Sequence, residues 1–108
     1  MTGKLYLVVR EDLSFAQQAV QAAHALQEFN VLFPEETSRW YKASNTLVML
    51  RVQNEKTLEE LLFQAVQRGF PSAPFHEPDL SNQLTAVTLG SEAKKLVQNL
   101  KLVGVPTI

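Results

Sequence analysis

Cysteine is absent from the sequence, so disulfides, thiolate zinc sites and cysteine nucleophiles are excluded together. Long apolar runs are missing too. No stretch approaches the roughly 18 residues that a membrane-spanning helix needs, and Met1 to Asp12 lacks the layout of a signal peptide. There is no excess of one charge: 10 Lys and Arg stand against 11 Asp and Glu, evenly spread, so no overall basic field advertises nucleic acid. Glycine is scarce, and G-x-G-x-x-G, the P-loop, G-x-S-x-G and H-E-x-x-H do not occur. Nucleotide-cradling loops and serine-hydrolase elbows therefore have no support. What is present, 45% hydrophobic and 19% charged residues in a chain of 108, suffices for one core. The expectation is a single cytoplasmic domain over residues 1–108 with no membrane partner.

Leu5 to Val9 is a continuous apolar run, as expected of a strand covered on both faces. A helix follows, with Ser14 as N-cap and Gln17 at the third position of a capping box. Phe15, Ala19, Ala22, Leu26 and Phe29 recur at helical spacing and are expected to form its buried stripe. Pro34 opens a polar stretch with a turn or two of helix, Trp40 and Tyr41 pointing inward. Thr46 to Val52 reads as a second strand. Thr57-x-x-Glu60 is a capping box leading a helix that buries Leu58, Leu61, Leu62 and Ala65, and Gly69 ends it. Ser72 to His76 is a short strand whose Pro71 and Pro74 suit a sheet edge. Leu84 to Leu89 is a strand with Thr85, Val87 and Leu89 on one face and Leu84, Ala86 and Thr88 on the other. Ser91 caps a last helix running to Leu100, and the tail Gly104 to Ile108 is expected to fray. Strands alternating with helices, closed by a strand-strand step, predict a three-layer α/β/α fold around a mixed, roughly four-stranded sheet.

Two places can carry chemistry. On the first helix, Gln17, Gln21, His24 and Glu28 follow one another at steps of four, three and four, so they line one side. Two carboxamides and an imidazole exchange hydrogen bonds without fixed charge, and the helix N-terminus beside Gln17 favours an anion or a developing oxyanion. The plainer reading is a solvated face, with Gln17 completing its capping box. The second place is His76-Glu77-Pro78-Asp79, between two strands, where Glu77 or Asp79 can act as general base. The plainer reading there is a turn, with Asp79 capping the backbone. His24, His76, Glu77 and Asp79 match no metal-ligand spacing, so neither a metal nor another cofactor is expected.

Several segments resemble the archaeal and eukaryotic type of peptidyl-tRNA hydrolase. Lys4 to Leu13 resembles that family's apolar strand followed by Arg-x-Asp-Leu, here Arg10-Glu11-Asp12-Leu13. Ala19-Val20-Gln21-Ala22-Ala23-His24-Ala25 resembles its Ala-Ala-Gln-x-x-His-Ala helix, Leu84 to Gly90 its Thr-x-Leu-x-Ile-Gly strand, and Leu100-Lys101-Leu102 its closing Leu-Lys-Leu. The resemblance implies a mixed four-stranded sheet between helices, and hydrolysis without a metal of the ester joining a peptide to the 3′ ribose of tRNA. It also implies site residues. The family's threonine falls on Thr85, and its aspartate on Glu77 or Asp79. Its lysine falls on Gln17, which does not match, and the Gly-Lys-Gly-Lys approach is replaced by Ser14-Phe15-Ala16-Gln17.

The expected site is thus Glu77, Thr85 and Gln17, supported by Gln21, His24 and Asp79, with peptidyl-tRNA as partner. Arg10, Lys94 and Lys95 are the candidates for touching RNA. Two further readings stay open beside the divergent hydrolase: a catalytically silent relative that binds RNA or a protein, and a hydrolase of a different acyl ester. A homodimer also stays open.

Overall fold

The computed structural model describes residues 3–104. The elements are β1 (Leu5–Arg10), α1 (Phe15–Leu32), α2 (Pro34–Ala43), β2 (Leu47–Val52), α3 (Glu55–Gln67), β3 (Ser72–Glu77), β4 (Gln83–Leu89), α4 (Lys94–Val97) and β5 (Lys101–Leu102). They build one mixed sheet in the order β3-β4-β1-β2-β5. β1 and β2 are parallel, while β4 runs antiparallel to both β1 and β3, and β5 antiparallel to β2. Five strands replace the expected four. β5 has only two residues, too short to carry a period of its own, and it pairs at Leu102 with Leu50 and at Lys101 with Arg51.

Helices cover both faces. Tyr6, Val8, Leu50, Val52, Leu84, Val87 and Leu89 pack against Leu58, Leu61 and Ala65 of α3 and Val97 of α4. On the opposite face, Leu7, Val9 and Ala86 meet Ala22 and Ala25 of α1, and Leu5 and Ala73 meet Phe29 of α1 and Trp40 of α2. Trp40 is tied down by its indole N–H, which donates to the Thr46 carbonyl at 2.7 Å. Tyr41, expected inside, is exposed, because the ten-residue α2 turns a single edge to the core and Trp40 fills it.

The helix boundaries follow local chemistry. Ser14 caps α1 as expected, its side chain accepting the Gln17 N–H. α3 starts two residues before the expected box, with Asn54 as N-cap and Thr57 inside the first turn. It ends in a Schellman arrangement: Gly69 N–H bonds the Val66 carbonyl, Phe70 N–H bonds Ala65, and Gly69 has φ 72°. The expected last helix from Ser91 to Leu100 is broken into a 3-10 turn, Ser91–Ala93, and the four-residue α4. The expected fraying tail lies, beyond Gly104, outside the described residues.

The buried stripe of α1 is not the expected one. Phe15 is 72% exposed and Ala19 is exposed, whereas Gln18 and Gln21 are buried with Ala22, Ala25 and Phe29. The helix is rotated so that two carboxamides face inward, which a hydropathy period cannot indicate because it assigns glutamine to solvent.

Candidate active site

β1, β2 and β3 share one direction, so their carboxyl ends, Arg10, Val52 and Glu77, lie at one end of the sheet with the N-termini of α1, α3 and β4. Open α/β sheets characteristically hold ligands at that end. The loop from β1 into α1 is fastened there by Arg10. Its guanidinium donates to both carboxylate oxygens of Asp12, at 3.0 and 2.9 Å, and to Gln83 Oε1 and the Leu84 carbonyl at 2.9 and 3.2 Å. Asp12 holds the Arg10 pKa up, and in return the Arg10 hydrogen bond holds the Asp12 carboxyl below its ordinary value. A carboxylate oxygen of Glu55, in the first turn of α3, takes the Leu84 N–H at 2.9 Å. The start of β4 is thereby pinned from two directions.

That start contains an irregularity. Phe75 pairs with Ala86 and His76 with Leu84, so Thr85 is an extra residue in β4. A bulge sets consecutive side chains on one face. Ala86 packs against α1, Leu84 packs with Val87 and Leu89 on the α3 face, and Thr85 turns with Ala86 toward α1. The expected alternation, with Thr85 beside Val87 and Leu89, is therefore corrected.

Gln21 joins the parts. Its side chain is 0% exposed, as is that of Thr85. Thr85 Oγ1 donates to Gln21 Oε1 at 2.7 Å, while Gln21 Nε2 donates to Glu77 Oε1 at 2.9 Å and to Gln17 Oε1 at 3.0 Å. The second carboxylate oxygen of Glu77 accepts the backbone N–H of Asp79 at 3.3 Å. Ionised carboxylates only accept, so Gln21 must present its NH₂ to Glu77 and its carbonyl to Thr85. The Gln21 hydrogen bond first and the Asp79 N–H second hold the Glu77 carboxyl below its ordinary value, outweighing desolvation, with a lesser lowering from nearby His24.

The structure gathers Gln17, Gln21, Glu77 and Thr85 into one connected group. Gln21 does not belong to a solvated helix face, as its period suggested. Gln17 leaves its capping box half closed: its backbone is capped, but its side-chain oxygen takes Gln21, and its own amide N–H groups have no partner among the described residues. His24 is exposed and stacks on Phe75, with ring centroids 4.3 Å apart and planes 9° from parallel, which fixes β3 against α1. Asp79 contributes its backbone rather than its side chain, and Glu77, not Asp79, caps the 3-10 turn Pro78–Leu80.

The three candidate cations are not brought to this group. The Arg10 side chain is 8% exposed and is spent on Asp12, Gln83 and Leu84, so it offers little to a phosphate. Lys94 and Lys95 are exposed, but they start α4, on the opposite face of the sheet from Gln17 and Gln21. Sequence reasoning placed Gln83 behind the His76–Asp79 loop but missed its bond to Arg10, and it missed Glu55, Phe75 and the bulge. Only the shift of strand register signals the last of these, and it is not visible in one strand alone. Among the described residues no three His, Asp or Glu side chains sit together so as to hold a metal. No helix is long and apolar enough to cross a membrane among those residues either.

Comparison with known proteins gives the lineage. A peptidyl-tRNA hydrolase of Thermococcus onnurineus (strain NA1) is 29% identical over 114 residues, covering 93% of this chain and 97% of its own. The structure of a protein of unknown function from Agrobacterium tumefaciens strain C58 superposes with a TM-score of 0.67 at 13% identity, covering 92% of this chain and 96% of that one. At that identity the likeness establishes the fold alone. The family model described as "Peptidyl-tRNA hydrolase PTH2" matches residues 3–103, and the chain therefore belongs to the PTH2 family of peptidyl-tRNA hydrolases.

Proposed function

We propose that the protein hydrolyses the ester between a peptide and the 3′ ribose of tRNA, in the cytoplasm, with Glu77 as general base and no metal. The observation that carries this reading is the buried Gln21 carboxamide, which holds Glu77, Gln17 and Thr85 in one hydrogen-bonded group. Ester hydrolysis needs an activated water, a donor for the tetrahedral oxyanion and a proton for the leaving ribose oxygen. Glu77 is ionised at neutral pH and fixed at both oxygens, so it can accept a proton from a water placed on its open side. The free amide N–H groups of Gln17, in the first turn of α1, supply a neutral donor for the oxyanion, reinforced by the positive end of the helix. Thr85 acts through Gln21, because its hydroxyl is wholly buried and spends its proton there. The proton taken up by Glu77 returns to the ribose oxygen when the tetrahedral intermediate collapses.

A specific observation also favours a binding-only relative: Gln17 carries no charge where the family has lysine. One experiment separates the two. Purified protein is given N-acetyl-aminoacyl-tRNA in buffer with and without a chelator, and both its binding and the release of free tRNA are followed beside Glu77→Gln. Turnover that the substitution lowers by about 10²–10⁴, the usual contribution of a general base, supports the hydrolase. Binding without turnover supports the silent relative, and turnover lost to the chelator overturns metal independence.

A further inference from the structure

β4 outruns one of its neighbours at the end of the sheet where the candidate site lies. β1 pairs with β4 from Tyr6 opposite Leu89 to Val9 opposite Ala86, whereas β3 accompanies β4 on to Gln83. Over Gln83 and Leu84 the strand therefore has a neighbour on one side alone among the described residues. Leu84 is 1% exposed, so its backbone N–H and C=O must find partners in the protein. Two charged side chains take the place of the missing strand. The Leu84 carbonyl accepts from Arg10 Nη1 at 3.2 Å, and the Leu84 N–H donates to Glu55 Oε2 at 2.9 Å. The signs match the groups, a cation on the acceptor and an anion on the donor, which makes both bonds charge-assisted.

Thr85, the extra residue of the bulge, follows directly. A bulge disrupts the ladder around it, so the direction of Thr85 depends on how its two neighbours are held. Ala86 is held by pairing with Val9 and Phe75. Leu84 is held by Arg10 and Glu55. The Thr85 hydroxyl has two acceptors within reach, Gln21 Oε1 at 2.7 Å and the Phe75 carbonyl at 3.3 Å. It carries one proton, so a small displacement of the backbone decides which of the two receives it.

We infer that Glu55 is a positioning residue for the candidate active site: by holding the Leu84 N–H it keeps the Thr85 hydroxyl on Gln21 rather than on the Phe75 carbonyl, and so keeps the Gln21 amide aimed at Glu77. This role deepens the proposed hydrolysis and rests on that reading for the reaction it serves. Glu55 opens α3 behind the N-cap Asn54, so the helix fixes its backbone. It reaches β4 from the α3 layer, across the sheet from α1 and the rest of the group. Its plainer role is an anion in the first turn of α3, favourable to the helix for its charge alone. The two roles differ in what they require. The helix needs the charge and tolerates a change of length, whereas the Leu84 N–H needs an acceptor oxygen at the right reach.

The test pairs two substitutions. Glu55→Asp keeps the charge at the start of α3 but is one methylene short of Leu84. Glu55→Gln keeps the reach and an acceptor oxygen but drops the charge. Each ¹⁵N-labelled protein is read at the Gln21 side-chain amide by chemical shift, and in its release of tRNA from N-acetyl-aminoacyl-tRNA. Glu55→Asp is expected to move the Gln21 amide signal and to lower kcat by up to about a hundredfold, as a small misplacement started far from the chemistry can. KM is expected to stay unchanged, because no group at the ester is altered. Glu55→Gln is expected to keep the wild-type amide signal and most of the turnover. A role confined to helix charge gives the reverse order, with Gln impaired and Asp not, and overturns the inference. So does a Gln variant no better than Asp, or an Asp variant indistinguishable from the wild type. The two readings fail separately. Wild-type protein without turnover removes the hydrolase, and the amide signals still decide the role of Glu55. Wild-type turnover with a Gln21 amide that Glu55→Asp leaves in place removes the positioning role alone.

Discussion

Thr85 and Gln21 are locked together across the α1–β4 interface, the threonine hydroxyl donating to the carboxamide oxygen at 2.7 Å with both side chains fully buried. Thr85→Val keeps the shape and removes the donor. Gln21 Oε1 is then a buried acceptor without a partner, which costs about 1–3 kcal/mol. Chemical denaturation is expected to show that loss, and tRNA release is expected to fall with it because the Gln21 NH₂ is no longer held against Glu77. Thr85→Ser is expected to recover much of both. Full stability in Thr85→Val would show that the bond contributes nothing.

The same substitution three residues on is expected to have the opposite sign. Thr88 is equally buried, but its Oγ1 has no hydrogen-bond partner among the described residues. Thr88→Val replaces an unsatisfied hydroxyl by a methyl of similar size in a site bounded by Leu7 and Ala73. A gain of about 1 kcal/mol is expected, measured by the same denaturation. A loss would mean that the hydroxyl is satisfied in solution.

Activity should depend on pH in a defined way. Glu77 is held below the ordinary glutamate value of about 4.3, first by the Gln21 hydrogen bond. Its base form is present above its folded pKa and is lost as pH falls through it, so the acid limb of kcat/KM is expected below that ordinary value. Gln21→Leu removes the largest lowering cause and is expected to move the limb upward. The stability carried by the ionised form follows the same direction: it is present above the unfolded pKa and lost as pH falls through the folded one. An acid limb near 7, or one that Gln21→Leu leaves in place, would rule out Glu77 as the titrating base.

Much of the fold was legible because the apolar runs at Leu5 to Val9 and Thr46 to Val52 and the capping signals at Ser14 and Gly69 are strong local statements. The site was legible only in part. Glu77 and Gln17 stood out from the residues themselves, Thr85 was reached through a family likeness, and Gln21, kept as a supporting residue by that likeness, was placed by its period on the non-buried face of the helix. Three things stayed hidden for physical reasons. A glutamine buried by tertiary hydrogen bonds looks like a surface glutamine, since hydropathy records transfer and not partners. The extra residue at Thr85 is a property of two strands in register, so β4 alone reads as unbroken alternation. Arg10 reads as a free cation until Asp12, Gln83 and the Leu84 carbonyl are seen to surround it.

Arg10 gives a prediction of its own. Its planar fork bonds both Asp12 oxygens and reaches β4 as well. Lysine keeps the charge but cannot reproduce that fork. Arg10→Lys is expected to cost about 1–3 kcal/mol, between the limits for exposed and buried pairs, because Asp12 itself is partly exposed. Thermal denaturation checks this. Because Asp12 is held below its ordinary pKa, its share of the stability is present at neutral pH and is lost as pH falls through the folded value, and Arg10→Lys should flatten that acid dependence.

Gln17 is uncharged, and its replacement by lysine is informative in both directions. In the present arrangement Gln17 Oε1 accepts from Gln21, a role an ammonium cannot fill. Gln17→Lys therefore breaks that bond and places a cation beside the Glu77 carboxylate. Two consequences follow from electrostatics alone. The Glu77 pKa is lowered further by the opposite charge, moving the acid limb of the pH profile down. A charged donor also holds an oxyanion more strongly than a neutral carboxamide, and removal of one such donor typically costs about 10²–10³ in rate. Turnover of N-acetyl-aminoacyl-tRNA is thus expected to rise more than tenfold in Gln17→Lys, with the rise in kcat rather than KM. A fall would mean that the Gln17–Gln21 hydrogen bond matters more than the charge, and that this chain has rebuilt the donor for its ester around two carboxamides.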